Sequence, residues 1–423
     1  QHQTSEQQID SILLANKTDA LHAEKFSRLV IQDAGGRLKP VNTFASELLR
    51  KVSKNDSYKG LDANQVFLSI QENPKLWFSV PVIYIKKDNT KLRDIIGIPH
   101  DQKFARLADF FTERGVYKIQ DIQEKAFKKK IKNKFEQSVI AVSDRANILY
   151  SAIGGGIMRI FPIPNDPTNK WVSYPELNDV KFSGKDSVFV KQVLPYYFQT
   201  LQASKKKNDY TESEELLDGI EKFQRKFGAE VFPKGNKVDL EIYYNKHDIF
   251  KKLFWQYMMA GVFMFIIIII NIFNNSKLVR ILLKISTAIV ILLFAYHTVG
   301  LGIRWYISGH VPWSNGYESM IYIAWATMLF GLLFGRKSIL TIAATAFVTS
   351  MILMFAHMNW MDPEIANLVP VLDSYWVMIH VSIIVASYGP FTLSMILGML
   401  ALFLMIISTS NNKKKLDLMI KEI

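Results

Sequence analysis

Arg304–Ser319 reads RWYISGHVPWSNGYES and joins two runs of apolar residues. A plain connector needs no flat rings, yet this one holds an Arg, two Trp, a His and a Tyr-Glu pair. The flanking runs decide the fold. A helix needs about 20 apolar residues to cross the hydrocarbon core of a bilayer. Working outward in both directions, five segments qualify as spans: 254–273, 281–303, 320–334, 339–355 and 376–407. The third and fourth are short and meet at the tight turn GRKS, and the long fifth has room to tilt.

Upstream of these spans the composition changes. Residues 1–250 are charged and lysine-rich, whereas residues 251–423 are dominated by Ile, Leu, Phe and Met. The pattern predicts an all-α polytopic membrane domain over 251–423, joined to a mainly helical soluble domain over 1–250. The 423 residues include no cysteine, which excludes disulfides, Cys-ligated zinc and a thiol nucleophile. The first thirty residues are polar, so they form no cleavable signal, and Gln1 in place of Met points to a processed or partial product.

The short loops give an orientation. Lys277 and Arg280 lie between spans one and two, Arg336 and Lys337 between three and four, and Lys413, Lys414 and Lys415 after five. The intervening loops lack that bias: Arg304–Ser319 has one Arg and one Glu, and Ala356–Ser374 has Asp362, Glu364 and Asp373 with no Lys or Arg. By the positive-inside rule the basic loops are cytoplasmic. The quoted stretch, the acidic loop and residues 1–250 then face outward, in a multi-pass protein of the cytoplasmic membrane with a cytoplasmic C-terminus. Lys284 snorkels toward the inner interface. The net charge of +13 does not oppose this, because long exported domains do not set topology. The many lysines of 1–250 read as a solvated helical face. No aromatic residues alternate with them as in single-strand binders, so no nucleic acid is expected as a partner.

Within the soluble half, GGRLKPVNTFASELLRKV reads as a Gly-Pro turn followed by a helix capped by Asn42 or Thr43. DANQVFLSIQENPKLW has helical spacing, and residues 121–153 read as one long helix. GGGIMRIFPIPND, Gly154–Asp166, predicts a short strand after a glycine break. The glycine triplet has no following Lys-Ser/Thr, so it is not a phosphate loop.

Of eight histidines, four lie in the membrane half: His297, His310, His357 and His380. The orientation above places all of them toward the outer face, with Trp305, Trp313, Trp360, Trp376, Tyr306 and Tyr317 nearby. Ionisable groups at a membrane are costly and usually functional. Interfacial Trp and Tyr also form ordinary aromatic belts, and a single His near a helix end more often bonds a neighbour than a metal. Few carboxylates and no thiols supply this face, which disfavours zinc and hard cations. Flat rings suit a macrocycle, and the planar fork of Arg304 suits a propionate. Haem ligated by histidine is the expected cofactor.

RWYISGHVPWSNGYES followed by LVPVLDSYWVMIHVSIIVASYG resembles the membrane haem-handling subunit of the system II cytochrome c synthase, CcsA or ResC. The order S-G-H-x-P, Y-E-S, two spans, L-V-P and W-x-M-x-H-V-S carries that resemblance. VIQDAGGRLKPVNTFASELLRKVS and DLEIYYNKHDIF resemble the extracytoplasmic segment of the fused CcsBA form. The resemblance implies haem b presented at the outer face for thioether attachment to the CXXCH thiols of an apocytochrome c. It implies His380 as an axial ligand of the haem iron. Arg304, His310, Tyr317 and Glu318 would build or brace the haem vestibule, while Trp305, Trp313 and Trp376 pack on the ring or belt the interface. No catalytic acid or base is expected, because the protein's part is to orient. Apocytochrome c, the remaining CcsB and CcsA portions and thiol-reducing proteins are the implied partners.

The chain also departs from the family pattern. It has no tryptophan-rich WGxxWxWDxKE segment after His380, and NWMDPE at Asn359–Glu364 lies on the wrong side of that histidine. A second outer histidine, intramembrane histidines and an upstream CcsB part have no match. These departures predict a middle portion of a synthase, inactive alone. Two other classes remain open. One is a b-type electron-transfer subunit with His297 facing His380. The other is a transporter or sensor without haem, although no repeat symmetry or broken helices point to one.

Overall fold

A computed structural model describes residues 6–273, 276–358 and 361–406, together with 408, 417 and 420. Lys413, Lys414, Lys415, Trp360 and the predicted end of span five at Ile407 lie outside the described residues. The chain divides into two compact units, residues 1–242 and 243–423.

The first unit is mainly helical. Its longer helices are Val41–Ser53, Ala63–Glu72, Lys134–Ile153, Gly184–Lys207 and Thr211–Phe227. Its described strands form four short antiparallel pairs. Ser57–Tyr58 pairs with Leu61–Asp62, and Lys59 (φ 48°) and Gly60 (φ 82°) make the turn. Positive φ at both central residues matches the twist of the strands it joins. The strand expected after the glycine break is Phe161–Pro162, paired with Trp171–Val172. Apolar side chains from nearly every element close one core, with Trp77, Phe67, Phe110 and Phe26 fully enclosed.

Two local expectations are corrected. The stretch 121–153 is two helices, Gln120–Lys128 and Lys134–Ile153. Asn133 breaks it: its side chain accepts from the Glu136 N–H, and the Glu136 carboxylate accepts from the Asn133 N–H. This capping box starts a new helix instead of continuing the old one. Neither Asn42 nor Thr43 caps Val41–Ser53, whose N-cap is Pro40. Both side chains are drawn elsewhere, Thr43 to Glu241 (2.8 Å) and Asn42 to Asn64 (3.0 Å).

His22 links packing in this unit to pH. It is buried, its Nε2 lies 3.0 Å from Tyr197 Oη, and its Nδ1 lies 3.8 Å from Glu214. Burial lowers its pKa to about 4, against partial opposition from the Glu214 carboxylate. The unfolded chain, with His22 near 6.5, therefore binds the proton first as pH falls. Stability from this site is complete above pH 6.5 and is lost progressively between 6.5 and about 4. The loss by the lower limit is about 3 kcal/mol. Hydrogen exchange in Ala20–Phe26 and Thr211–Phe227 should accelerate over that window. His22→Gln should flatten the dependence, and a pH-independent wild type would contradict it.

The second unit contains the spans. They are Ile249–Phe273, led into by Lys237–His247, then Lys277–Ser308, Gly316–Phe334, Ile339–His357 and Tyr375–Ile406. All five are long and apolar enough to cross a membrane. Span four is the most enclosed and packs against spans one and three, and span three also packs against span five. Small residues permit this. A Cβ at Gly261 would sit 2.9 Å from the Phe347 backbone nitrogen, and one at Gly389 would sit 2.8 Å from that of Thr327. Close backbone approach through glycine is how helices associate where no hydrophobic effect drives them together. Outward faces of spans one, two and five stay apolar and exposed, at Phe263, Leu292 and Phe391 among others, as lipid contact requires.

Candidate functional site

The quoted stretch is less of a loop than it reads. Span two runs to Ser308, so Arg304, Trp305 and Tyr306 belong to its last turns. Gly309 (φ 77°) ends it with its N–H bonded to the Trp305 carbonyl. Span three begins at Gly316, and the Asn315 side chain caps it through the Glu318 N–H. Tyr317 and Glu318 are thus first-turn residues, and the true connector is Gly309–Asn315.

This geometry sends Arg304 and Glu318 inward. Both are fully buried, with Arg304 Nε 2.9 Å from Glu318 Oε1. The rest of the guanidinium reaches across the unit. Nη1 donates to Tyr244 Oη (3.2 Å) and to the Pro363 carbonyl (3.0 Å), and Nη2 to the Glu364 carbonyl (3.1 Å). Its plane lies over the Tyr317 ring at 5.2 Å. The other Glu318 oxygen accepts from the N–H and hydroxyl of Ser314. Desolvating two charges is costly unless their hydrogen bonds are met, and here they largely are. The fork is therefore turned into the protein and engaged there, not held open for a propionate.

The four imidazoles have distinct environments. His297 is wholly enclosed, with Nε2 3.1 Å from the Ile321 carbonyl and Phe250 and Tyr257 beside its ring. His310 has Nδ1 near the Val311 carbonyl and Nε2 near the Ala366 carbonyl, both at 3.1 Å. The ring lies between the connector and the acidic segment; when neutral it has one N–H, so it donates to one of these two carbonyls. His357 Nδ1 bonds the Leu353 carbonyl of its own helix, and its ring meets Tyr317 edge-on. His380 is exposed on span five, and among the described residues neither ring nitrogen has a hydrogen-bond partner. Trp376, one turn earlier on the same face, is 74% exposed.

The tryptophans divide similarly. Trp305 is 52% exposed and points outward. Trp313 is half-buried, tilts against Tyr322 at 4.8 Å, and keeps its indole N–H buried without a partner. Beside it runs a narrow apolar cleft between Val311, Leu368, Leu372, Met378 and Val381, with only about 10 Å³ of free volume. A macrocycle cannot be enclosed there. Among the described residues, the exposed imidazole of His380 and the exposed ring of Trp376 are groups of the kind that suit one side of a surface-held haem. No group of three or more His, Cys, Asp or Glu able to hold a bare metal ion occurs among the described residues.

The structure thus joins Arg304, Tyr317, Glu318 and His310 into one brace and sets Trp313 beside the start of span five, which carries Trp376 and His380. It does not pair His297 with His380, since one is sealed inside and the other exposed. Sequence reading missed Tyr244 and the Pro363, Glu364 and Ala366 carbonyls. Backbone acceptors leave no trace in a sequence. Tyr244 falls in DLEIYYNKHDIF, which was singled out for other reasons.

The sequence profile described as Cytochrome C assembly protein matches residues 313–423, from Trp313 through span five. Residues 313–423 are thus similar to the Cytochrome C assembly protein family. The matched region contains Trp313, Glu318, Trp376 and His380, while Arg304 reaches Glu318 from span two. Protein NrfI of Wolinella succinogenes is 36% identical over 385 residues, covering 90% of this chain and 42% of NrfI. Cytochrome c biogenesis protein CcsA of Prochlorococcus marinus strain MIT 9303 is 34% identical over 134 residues, 31% of this chain and 40% of CcsA. Its counterpart in strain AS9601 is 32% identical over 166 residues, 37% of this chain and 53% of CcsA. The chain thus spans about half, or less, of the curated relatives it matches.

Proposed function

We propose that this chain is a haem-presenting part of a cytochrome c synthase. His380 carries the reading, as an exposed imidazole inside the matched region with no hydrogen-bond partner among the described residues. It would ligate the iron of haem b at the outer face of the cytoplasmic membrane. Trp376 and Trp313 would help hold the group, and Trp305 would anchor span two at the interface. Arg304, Glu318, Tyr317 and His310 act one layer back by fixing the connector and the acidic segment. Bound haem supplies vinyl groups, to which the CXXCH thiols of an apocytochrome c add as thioethers. The protein's own contribution is orientation: a ligand on a rigid helix holds the reacting edge at fixed distance. The remaining CcsB and CcsA portions complete the ligand set, and thiol-reducing proteins prepare the substrate.

Two measurements test this. A complete synthase containing this chain, expressed in a host without its own cytochrome c assembly, should attach haem covalently to a CXXCH apocytochrome. A haem spectrum without covalent product would favour the electron-transfer reading, and no haem at all would favour a transporter or sensor. Sidedness is tested separately. Ser314→Cys should react with an impermeant thiol reagent added outside, and Ser338→Cys should not, because the chain has no competing thiol. The reverse pattern would overturn the orientation argued from the Lys and Arg distribution.

A further inference from the structure

The break between Gln120–Lys128 and Lys134–Ile153 creates a surface that the haem reading does not use. Residues 125–134 read KAFKKKIKNK, six lysines around two large apolar side chains, Phe127 and Ile131. Those two are not tucked away: Phe127 is 52% exposed and Ile131 is 91% exposed. Lys129 is held by Glu136, but no ion pair engages Lys125, Lys128, Lys130, Lys132 or Lys134 among the described residues. An isoleucine presented almost entirely to solvent within such a cluster is hard to explain by folding, because burying it would cost nothing.

Lys134 also lines the wall of a cleft of about 790 Å³ between this segment and the stretch 86–91. Lys86, Lys91, Lys134 and Arg145 face it, against the single carboxylate of Asp88. The cleft is preformed. The Asn89 amide donates to Ser138 Oγ at 2.6 Å, tying its two walls together. Arg145 is fixed by Nη1 to the Tyr84 carbonyl at 2.8 Å and by stacking on that ring at 5.5 Å. Its Nε and Nη2 have no partner among the described residues, so the planar fork is positioned yet open. A fork and three ammonium groups in one cleft are the chemistry that receives a phosphate.

We infer that this cleft and the adjoining 125–134 segment form a docking site for anionic phospholipid, with the headgroup phosphate in the cleft and Ile131 and Phe127 entering the acyl boundary. The juxtaposition of both parts selects the occupant. A free phosphate would use the cleft and leave the exposed isoleucine without a role. An acidic protein surface would match the lysines but offers no reason for the cleft. Basic side chains gain from the negative surface potential of anionic bilayers, while apolar ones gain by leaving water. Such docking would tether the first unit to the bilayer surface independently of haem.

The absence of cysteine makes a clean test possible. The whole chain carrying Ile131→Cys, spin-labelled, is placed in nanodiscs of phosphatidylcholine alone or mixed with phosphatidylglycerol. The variant site is exposed, so folding is not at stake. In the mixed discs the label should become accessible to oxygen and shielded from a water-soluble nickel chelate, and in phosphatidylcholine alone it should stay in water. Lys91→Gln and Lys134→Gln should each lower the docked-to-free ratio about fivefold. Added phosphate should release the label no more than chloride of equal ionic strength. A label in water in both discs would overturn the proposal, and is the outcome expected of an acidic protein partner. Equal shielding in both discs would remove the anionic headgroup. Selective release by phosphate would make the free ion the occupant.

Discussion

Replacing His380 by alanine in a complete synthase is expected to remove most retained haem and all covalent attachment to apocytochrome c. Among the imidazoles of the spans and their connectors, it is the exposed one with no hydrogen-bond partner among the described residues. The other imidazoles are more engaged: His310 lies between two carbonyls, His297 is sealed in the bundle, and His357 Nδ1 bonds the Leu353 carbonyl of its own helix. Loss of one iron ligand should weaken haem retention by roughly tenfold or more, equivalent to at least about 1.4 kcal/mol. The Soret absorbance per mole of purified protein measures this. His380→Cys should recover part of it, since thiolate also binds haem iron. Added imidazole should do the same for the alanine variant. His310→Ala should cost less haem, because its loss loosens the connector without removing a ligand. If His310→Ala loses both haem and activity while His380→Ala keeps them, the two assignments exchange places.

The second large effect is on stability. Glu318→Leu leaves the Arg304 guanidinium in a fully buried position without its counter-charge. Breaking a buried pair from one side costs about 3–5 kcal/mol. The melting temperature in detergent should fall clearly. Ser314→Cys, labelled at the end of its connector, should react faster in that background, because Glu318 no longer holds the backbone N–H at that position. Arg304→Leu with Glu318→Leu removes both charges and should be less damaging than Glu318→Leu alone. Arg304→Lys keeps the charge but cannot reach Tyr244 and both carbonyls at once, so it should fall between wild type and Glu318→Leu. Equal stability of all four proteins would mean that water reaches the pair.

The five spans were legible because apolar length is a one-dimensional signal. Their ends were less so. Span two continues through Arg304 to Ser308, since a charge paired inside the bundle does not end a helix as a solvated one would. The same confusion made Arg304 look available to a propionate. One clue lay in the sequence: Arg304 and Glu318, opposite in sign, bracket a connector between two apolar runs. The break at 129–133 was also written there, as Asn133 three residues before Glu136, but six lysines in helical spacing concealed it. His380 was singled out by family resemblance rather than by physics. Its lack of a hydrogen-bond partner is a three-dimensional property, invisible until the neighbours of span five are placed.

Arg304 grips the 361–369 segment by main-chain oxygens, at Pro363 and Glu364, and His310 does likewise at Ala366. A grip of that kind registers where the chain passes and is blind to which side chains it carries. Point changes in this segment can therefore accumulate over evolutionary time with little penalty, so long as the path of the chain is kept. An inserted or deleted residue is different, because it shifts every downstream carbonyl past its donor. Selection should accordingly tolerate drift in composition here and police length, so that related chains align in this segment without gaps even where scarcely a letter agrees.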